Sequence, residues 1–177
     1  KKGGKYEIIG DPTEVALLVL SKKAGLDKKN LSEKLIDDYT FNTELKLRAS
    51  LLENSKKREL CSVGAFENIL DRCSYYFKGN KKVRLDNKVK KHFMKRAELL
   101  ARDGMRVLAL GYKDVPINME SISDKDIDGL IFTGLVGMKD PPRDGIKESI
   151  NRAKNAGLRI IMKTGDHKET AVAIARE

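Results

Sequence analysis

What this 177-residue chain lacks narrows it first. It carries two cysteines, Cys61 and Cys73, and they have neither metal-ligand spacing nor partners. No zinc ribbon or disulfide framework is legible, and the thiols are expected to be reduced in a cytosolic setting. No run of about eighteen apolar residues occurs, so no segment is long enough to cross a bilayer as a helix. There is no initiator methionine and no signal-peptide pattern. The chain opens on Lys1-Lys2-Gly3-Gly4 and closes inside a helical pattern, so it reads as an excised piece. Aromatics make up 6% and do not alternate with basic residues along a strand, which leaves a nucleic-acid reading without its stacking half. Acidic residues are the minority, 26 against 36 Lys and Arg, for a net charge of +10. That excess suits an anionic partner: nucleic acid, an anionic membrane or a small polyanion. With 40% apolar and 35% charged residues, the chain fits a wet-surfaced domain with one good core or two small ones.

What is present can be taken in order. Tyr6–Ile9 is expected to be a short strand. In Gly10-Asp11-Pro12-Thr13-Glu14, Asp11 fits a helix N-cap, Pro12 the first helical position and Glu14 the third, a capping box. The helix should turn Val15, Leu18 and Val19 inward and end at Lys22-Lys23-Ala24-Gly25. Asp27–Asp38 reads as a polar loop with a short helix. Leu47–Leu52 and Glu59–Val63, joined by the polar residues 53–58, form a hairpin. After Val63-Gly64-Ala65-Phe66-Glu67, an apolar helix ends near Cys73. Lys78-Gly79-Asn80 is a turn, and Lys81–Lys91 a charged connection. Val89, Phe93, Ala97 and Leu100 mark the inner face of a helix that reaches Arg102, with His92 on its outer side and Gly104 closing it. Met105–Tyr112 is a strand whose Arg106 demands a partner. Asp114–Gly129 is a polar excursion with a short acidic helix.

The stretch from Leu130 to Asp166 organises the rest. Leu130–Val136 is a buried strand. Asp140-Pro141-Pro142-Arg143 is a stiff corner, because two prolines remove two donors and fix φ twice. A helix follows with Ile146, Ile150 and Ala153 on one face and Gly157 at its C-terminal cap. Leu158–Met162 reads as a second strand, ending at Thr164-Gly165-Asp166, and a helix from His167 to Glu177 follows. Strand, helix, strand and helix in this order predict a parallel βαβα unit. Thr164–Asp166 would then sit at a strand's carboxyl end and a helix N-terminus, where anions are favoured.

On these motifs the chain resembles the P-type ATPases, the cation pumps of the haloacid dehalogenase superfamily. Asp140-Pro141-Pro142-Arg143 is similar to the family's hinge into its phosphorylation domain, and Thr164-Gly165-Asp166 to its phosphate-side motif. Gly-Asp-Pro-Thr-Glu at 10–14, Phe41 with Lys46, Val63-Gly64-Ala65 and Arg106 resemble segments of its nucleotide-binding domain. The resemblance implies Glu14 near the adenine amino group, Phe41 stacked on adenine, Lys46 approaching the nucleotide, and Arg106 on its phosphates. It also implies nucleotide contacts for Gly64, Ala65, Asp140 and Arg143, and a phosphate-side role in catalysis for Thr164, Gly165 and Asp166. Four departures stand out, the first being Leu45 where a second basic residue is common. Val63 replaces a lysine and Phe66 a proline, while Arg48 stands where methionine is common.

The fold class so implied is α/β. Residues 1–129 form an α+β nucleotide-binding domain, with a mainly antiparallel sheet flanked by helices. A return strand and hinge occupy 130–143, and a partial parallel βαβα phosphorylation-domain segment 144–177. The expected function is ATP binding in the cytosolic part of an integral membrane pump, with Mg2+ held mostly by residues outside this chain. Its partners would be ATP and the phosphorylation, actuator and transmembrane domains, not nucleic acid, and the piece would be monomeric. Phosphoryl transfer needs an in-line nucleophile, magnesium and fixed phosphates. The phosphorylated aspartate would lie before Lys1, so this chain alone is expected to catalyse nothing. The hinge and the Gly-Asp-Pro-Thr-Glu segment resemble the calcium-pump-like branch. Two other readings stand beside this one. A stand-alone phosphatase would use Asp124-Lys125-Asp126. A basic module would bind nucleic acid or an acidic partner.

Overall fold

The computed structural model describes residues 11–26, 32–55, 57–139, 142–164 and 168–176, the side chains of 168–170 apart. The strand expected over Tyr6–Ile9 lies outside them. Two compact units are distinguished, residues 1–34 and 35–177.

In the first unit, helix α1 spans Pro12–Lys23. The Asp11 carboxylate accepts the N–H groups of Thr13 and Glu14 at 2.8 and 3.3 Å, so the cap forms where the sequence put it. Lys22 and Lys23 fill the last turn, and Gly25 follows at φ +77°. The expected inward face is not there. No residue of α1 is buried, and Leu18 and Val19 are 50% and 43% exposed. Residues 16–20 are consecutively apolar, so they wrap the helix instead of forming a stripe.

The second unit is built on a seven-stranded sheet. Its strands are β1 (Lys34–Asn42), β2 (Leu47–Glu53), β3 (Arg58–Ala65), β4 (Cys73–Lys78), β5 (Lys81–Arg84), β6 (Arg106–Val115) and β7 (Leu130–Met138). They lie in the order β1-β2-β3-β6-β7-β4-β5. The β2–β3, β3–β6, β6–β7 and β4–β5 pairs are antiparallel, and β4–β7 is parallel. The class is therefore the expected one, mixed α/β with a mostly antiparallel sheet and flanking helices. The polar loop with a short helix expected through Asp38 is instead β1 from Lys34 onward, and the charged connection from Lys81 begins as β5.

Alternation along the strands sorts their side chains. Leu47, Ala49 and Leu51 of β2, Leu60 of β3 and Ala109 of β6 are buried on one face. There all but Leu51 join one cluster with Phe66, Ile69 and Leu70 of helix α2 (Phe66–Arg72) and Ala97 of helix α3 (Asn87–Arg102). The α3 stripe is as predicted. Ala97 is buried, Val89 and Phe93 pack against the core, and His92 is exposed. Gly104 follows at φ +76°. The acidic stretch becomes a 3-10 turn at Asp124–Ile127.

Beyond β7 the expectation holds in part. Helices α4 (Ile146–Asn155) and α5 (Lys168–Ala175) form, and Gly157 takes φ +79° after α4. Leu158–Met162 is not a strand. Leu158 is 62% and Ile161 76% exposed. An apolar β-branched run becomes a strand only beside a partner that takes up its N–H and C=O groups. Among the described residues, none of the seven strands lies alongside it.

Candidate functional site

The site is built on the face of the sheet opposite α2 and α3. The β2–β3–β6 register sets side chains across it in rows. Arg48, Val63 and Leu110 make one row, Ser50, Cys61 and Tyr112 the next, and Ala65 pairs with Leu108 on the other side. These residues are half-buried. Arg48, Cys61, Val63, Leu110 and Tyr112 line a concavity of ≈ 430 Å³. Arg106 has the same strand parity as Leu108 and Leu110, so it extends this face to the first residue of β6, where it is exposed. Four residues of strand place it about 13 Å along from Leu110.

The turn from β1 to β2 borders this face. Asn42 shapes it, its Oδ1 accepting the N–H groups of Glu44 and Leu45, both at 2.9 Å. Lys46 closes the turn at φ +52°, and among the described residues it alone is non-glycine with a positive φ. Its carbonyl accepts Ala65 N–H at 2.8 Å, tying the turn to the end of β3. Phe41, at the head of the turn, is 61% exposed, so it is not core. Burying an aromatic ring is worth a few kcal/mol, so one held in solvent has been left out of the core at a cost.

Gly64 was expected to leave room for a ligand. The room is taken by the chain itself. A Cβ there would stand 2.5 Å from the Lys46 carbonyl oxygen and 2.5 Å from Leu47 Cβ. The missing side chain thus admits the start of β2. Val63 points the other way, into the concavity, where the lysine of the resemblance is absent. A cation is nonetheless present one strand away on Arg48. Its Nη2 lies 3.2 and 3.0 Å from the two Asp38 carboxylate oxygens, and Ser50 Oγ donates to Asp38 at 2.9 Å. Sequence reasoning noted Arg48 merely as a departure. The signal was available, because pairing back from the hairpin turn, Glu53 with Arg58, leads to Arg48 with Val63.

Val63, Ala65 and Arg106 thus share one surface, Lys46 stands in the turn that borders it, and Phe41 is exposed at the head of that turn. Glu14 belongs to the first unit, where it is exposed in the first turn of α1. Asp140, Gly165 and Asp166 lie outside the described residues. Arg143 and Thr164 are exposed in loops, and the Arg143 carbonyl accepts Ile146 N–H at the start of α4 at 3.2 Å.

The two cysteines fall on opposite faces. Cys61 lines the concavity, while Cys73 is 4% exposed in the core, where burial pushes its thiol up to about 12. Asp124 and Asp126 are both engaged, Asp124 with β1 and Asp126 with its own turn. Asp124 accepts from the Tyr39 hydroxyl, and Asp126 from Ser123 N–H at 2.8 Å and Ser123 Oγ at 2.5 Å. The Ser123 hydroxyl and N–H hold the Asp126 carboxyl below its usual value. This is capping chemistry, not an Asp-x-Asp pair presented at a strand end.

The second unit is thus a mixed α/β fold with a partly apolar concavity, bordered by Arg48, on the open face of its sheet. The family model for "P-type ATPase, cytoplasmic domain N" matches residues 1–145. The chain belongs to that family. It is 36% identical over 173 residues to calcium-transporting ATPase 1 of Lactococcus lactis, covering 97% of this chain and 20% of that protein. It is 37% identical over 174 residues to calcium-transporting ATPase 1 of Bacillus cereus, covering 95% and 19%. A sodium/potassium exporting P-type ATPase of Schizosaccharomyces pombe is 37% identical over 180 residues, covering 98% and 17%. The chain spans about a fifth of the length of these relatives. No helix among the described residues is long and apolar enough to cross a membrane.

Proposed function

We propose that this chain binds ATP on the open face of its sheet, as the nucleotide-binding piece of an ATP-hydrolysing cation pump. The observation that carries the reading is Phe41. An aromatic ring 61% exposed beside a turn that ends in Lys46 offers a base a face to stack on and its phosphates a cation. The purine would lie against Phe41, with Val63, Ala65 and Leu108 beneath the sugar. Arg48, Lys46 and Arg106 would meet the phosphates, with the Gly64 backbone alongside. Residues 1–129 would form this domain, 130–143 the return strand and hinge with Asp140 and Arg143. Residues 144–177 would open the phosphorylation domain, with Thr164, Gly165 and Asp166 on the phosphate side.

Within the whole pump, this piece would sit on the cytosolic side of an integral membrane protein and work with its phosphorylation, actuator and transmembrane domains. The names of the relatives favour calcium as the ion. The magnesium that accompanies ATP would be held mostly by residues outside this chain. With valine at 63 in place of lysine, the affinity of the piece alone should be on the order of millimolar, about 4 kcal/mol. Supplying no nucleophile for the phosphate, it should form no acid-stable phosphoenzyme.

Titration with ATP, with GTP as control, tests the reading. Saturable shifts of the Lys46, Val63 and Leu108 amides by ATP but not GTP are expected. Equal response to both nucleotides, or none to ATP, would refute it.

A further inference from the structure

The net charge of +10 is not spread over the chain. Residues 74–97 hold nine Lys and Arg against one acidic residue, Asp86, so they account for +8 of it. Asp86 is itself engaged, its carboxylate accepting Val89 N–H at 2.8 Å. The segment is the β4–β5 hairpin and most of α3. On it, Lys78, Lys81, Lys82 and Arg84 of the hairpin and Lys88, Lys91, Lys95 and Arg96 of the helix are exposed. None of these eight has an acidic partner among the described residues. Lysines on an edge strand are explained by protection against strand-to-strand association, which accounts for β5. It does not account for the four on α3, which lies over the sheet and not at its edge.

A recess opens inside this basic lobe. The parallel strands β4 and β7 pair through Tyr76 and Phe132 and then part, β4 toward β5 and β7 along β6. In such a fork, at the carboxyl ends of parallel neighbours, ligands are commonly held. The fork holds a concavity of ≈ 320 Å³, lined by Tyr76, Phe77, Phe93, Phe132 and Leu135, with His92 and Arg96 at its polar rim. The rings inside are packed on one another. Tyr76 meets Phe93 edge-on at 76°, and Phe93 is tilted 41° to Phe132. They present edges and a tilted corner, which suits an inserted side chain better than a stacked base. The recess is concave, so it is also a poor match to the flat surface of a bilayer.

We infer that the β4–β5–α3 lobe docks an acidic polypeptide segment carrying one large apolar residue, which enters the fork between β4 and β7. The cations of α3 steer and hold the acidic flanks, and the fork supplies the anchor site around which binding energy concentrates. This recess lies on the helix side of the sheet and the concavity proposed for ATP on the other, with Thr133, at the register shift between β6 and β7, bordering both.

The test uses the 177-residue chain and two acidic polymers of equal length, poly-glutamate and a random glutamate–tyrosine copolymer. The copolymer is expected to bind about tenfold tighter, a typical gain for one buried aromatic anchor. It should shift the amides of Leu135 and Arg96. Lys88→Glu, Lys95→Glu and Arg96→Glu together, all on the exposed side of α3, should weaken both polymers at least about tenfold, and raised salt should do the same. Phe77→Ala, at a ring 42% exposed, should abolish the preference for the copolymer and leave poly-glutamate binding unchanged. Phe41→Ala should alter neither, which separates this surface from the nucleotide reading. Equal binding of the two polymers overturns the inference. So does indifference to the charge reversals, or tighter binding of oligo-thymidylate or phosphatidylserine vesicles than of the copolymer.

Discussion

Arg48 and Val63 are direct cross-strand partners on the open face of the sheet, and Arg48 is held toward β1 by Asp38 at 3.0 Å. A cation therefore stands beside the position where the family resemblance has lost its lysine. Direct cross-strand partners share one face, so a lysine at 63 would project into the concavity and not into the core. Val63→Lys should tighten ATP binding by about tenfold, the worth of one charge-assisted hydrogen bond. Its closeness to Arg48 should lower the melting temperature slightly, since like charges across a ladder repel. Calorimetry and a thermal melt check both. A strongly lowered melting temperature with no gain in affinity would show that position 63 does not face the ligand.

Phe41→Ala should weaken ATP binding by about 1–3 kcal/mol, the range for stacking of a base on an aromatic ring. Because the ring is 61% exposed, stability should hardly change. Paired calorimetric and urea titrations separate the two quantities. Unchanged ATP affinity would remove Phe41 from the site.

Gly64→Ala tests the other half of the turn. Its new Cβ would meet backbone at 2.5 Å, so β2 must move away from β3. A loss of about 1–3 kcal/mol or more is expected in urea unfolding, as for overpacking of a tight core. Stability equal to the parent would mean that the strands are not held so closely.

The cysteines give a chemical readout. Cys61 lines the concavity and should react with a thiol reagent in the native chain, more slowly when ATP is bound. Cys73 should react only on unfolding. Its thiol is pushed from 9.0 up to about 12 in the fold, so it stays protonated where an unfolded thiol ionises. The unfolded state therefore gains by losing a proton as pH rises past about 9, and this group's contribution to stability falls from there toward pH 12. Mass spectrometry of the labelled chain shows which thiol has reacted.

How far the fold could be read in advance depended on whether the deciding contacts were local. The α3 stripe of Val89, Phe93, Ala97 and Leu100, the β2–β3 hairpin and the Asp11 cap follow from spacing within a few residues, and all three formed. Strand β1 was hidden because Asp37 and Asp38 give it a loop's composition. Their partners are distant: Asp37 accepts Ile122 N–H at 2.8 Å, and Asp38 takes Arg48 and Ser50. The opposite error occurred at Leu158–Met162, whose apolar character suggested a strand that no neighbour completes. At the site, the exposure of Phe41 was beyond periodicity, and family resemblance pointed to it instead. At Gly64 the sequence suggests room for a ligand, and the space a side chain would need is occupied by Leu47 and the Lys46 carbonyl.

The parallel β4–β7 ladder is short, running from Cys73 and Leu130 to Tyr76 and Phe132 with an irregularity inside it. It is what joins the β4–β5 hairpin to the rest of the sheet, whereas β2, β3 and β6 are bound along seven or eight consecutive pairs. Local opening costs least where the fewest ladder bonds must break. The hairpin amides should therefore exchange with solvent through a partial unfolding that leaves β2–β3–β6 closed. The hairpin would then loosen as one piece, while α3, anchored in the core by Ala97, and the open face of the sheet keep their shape.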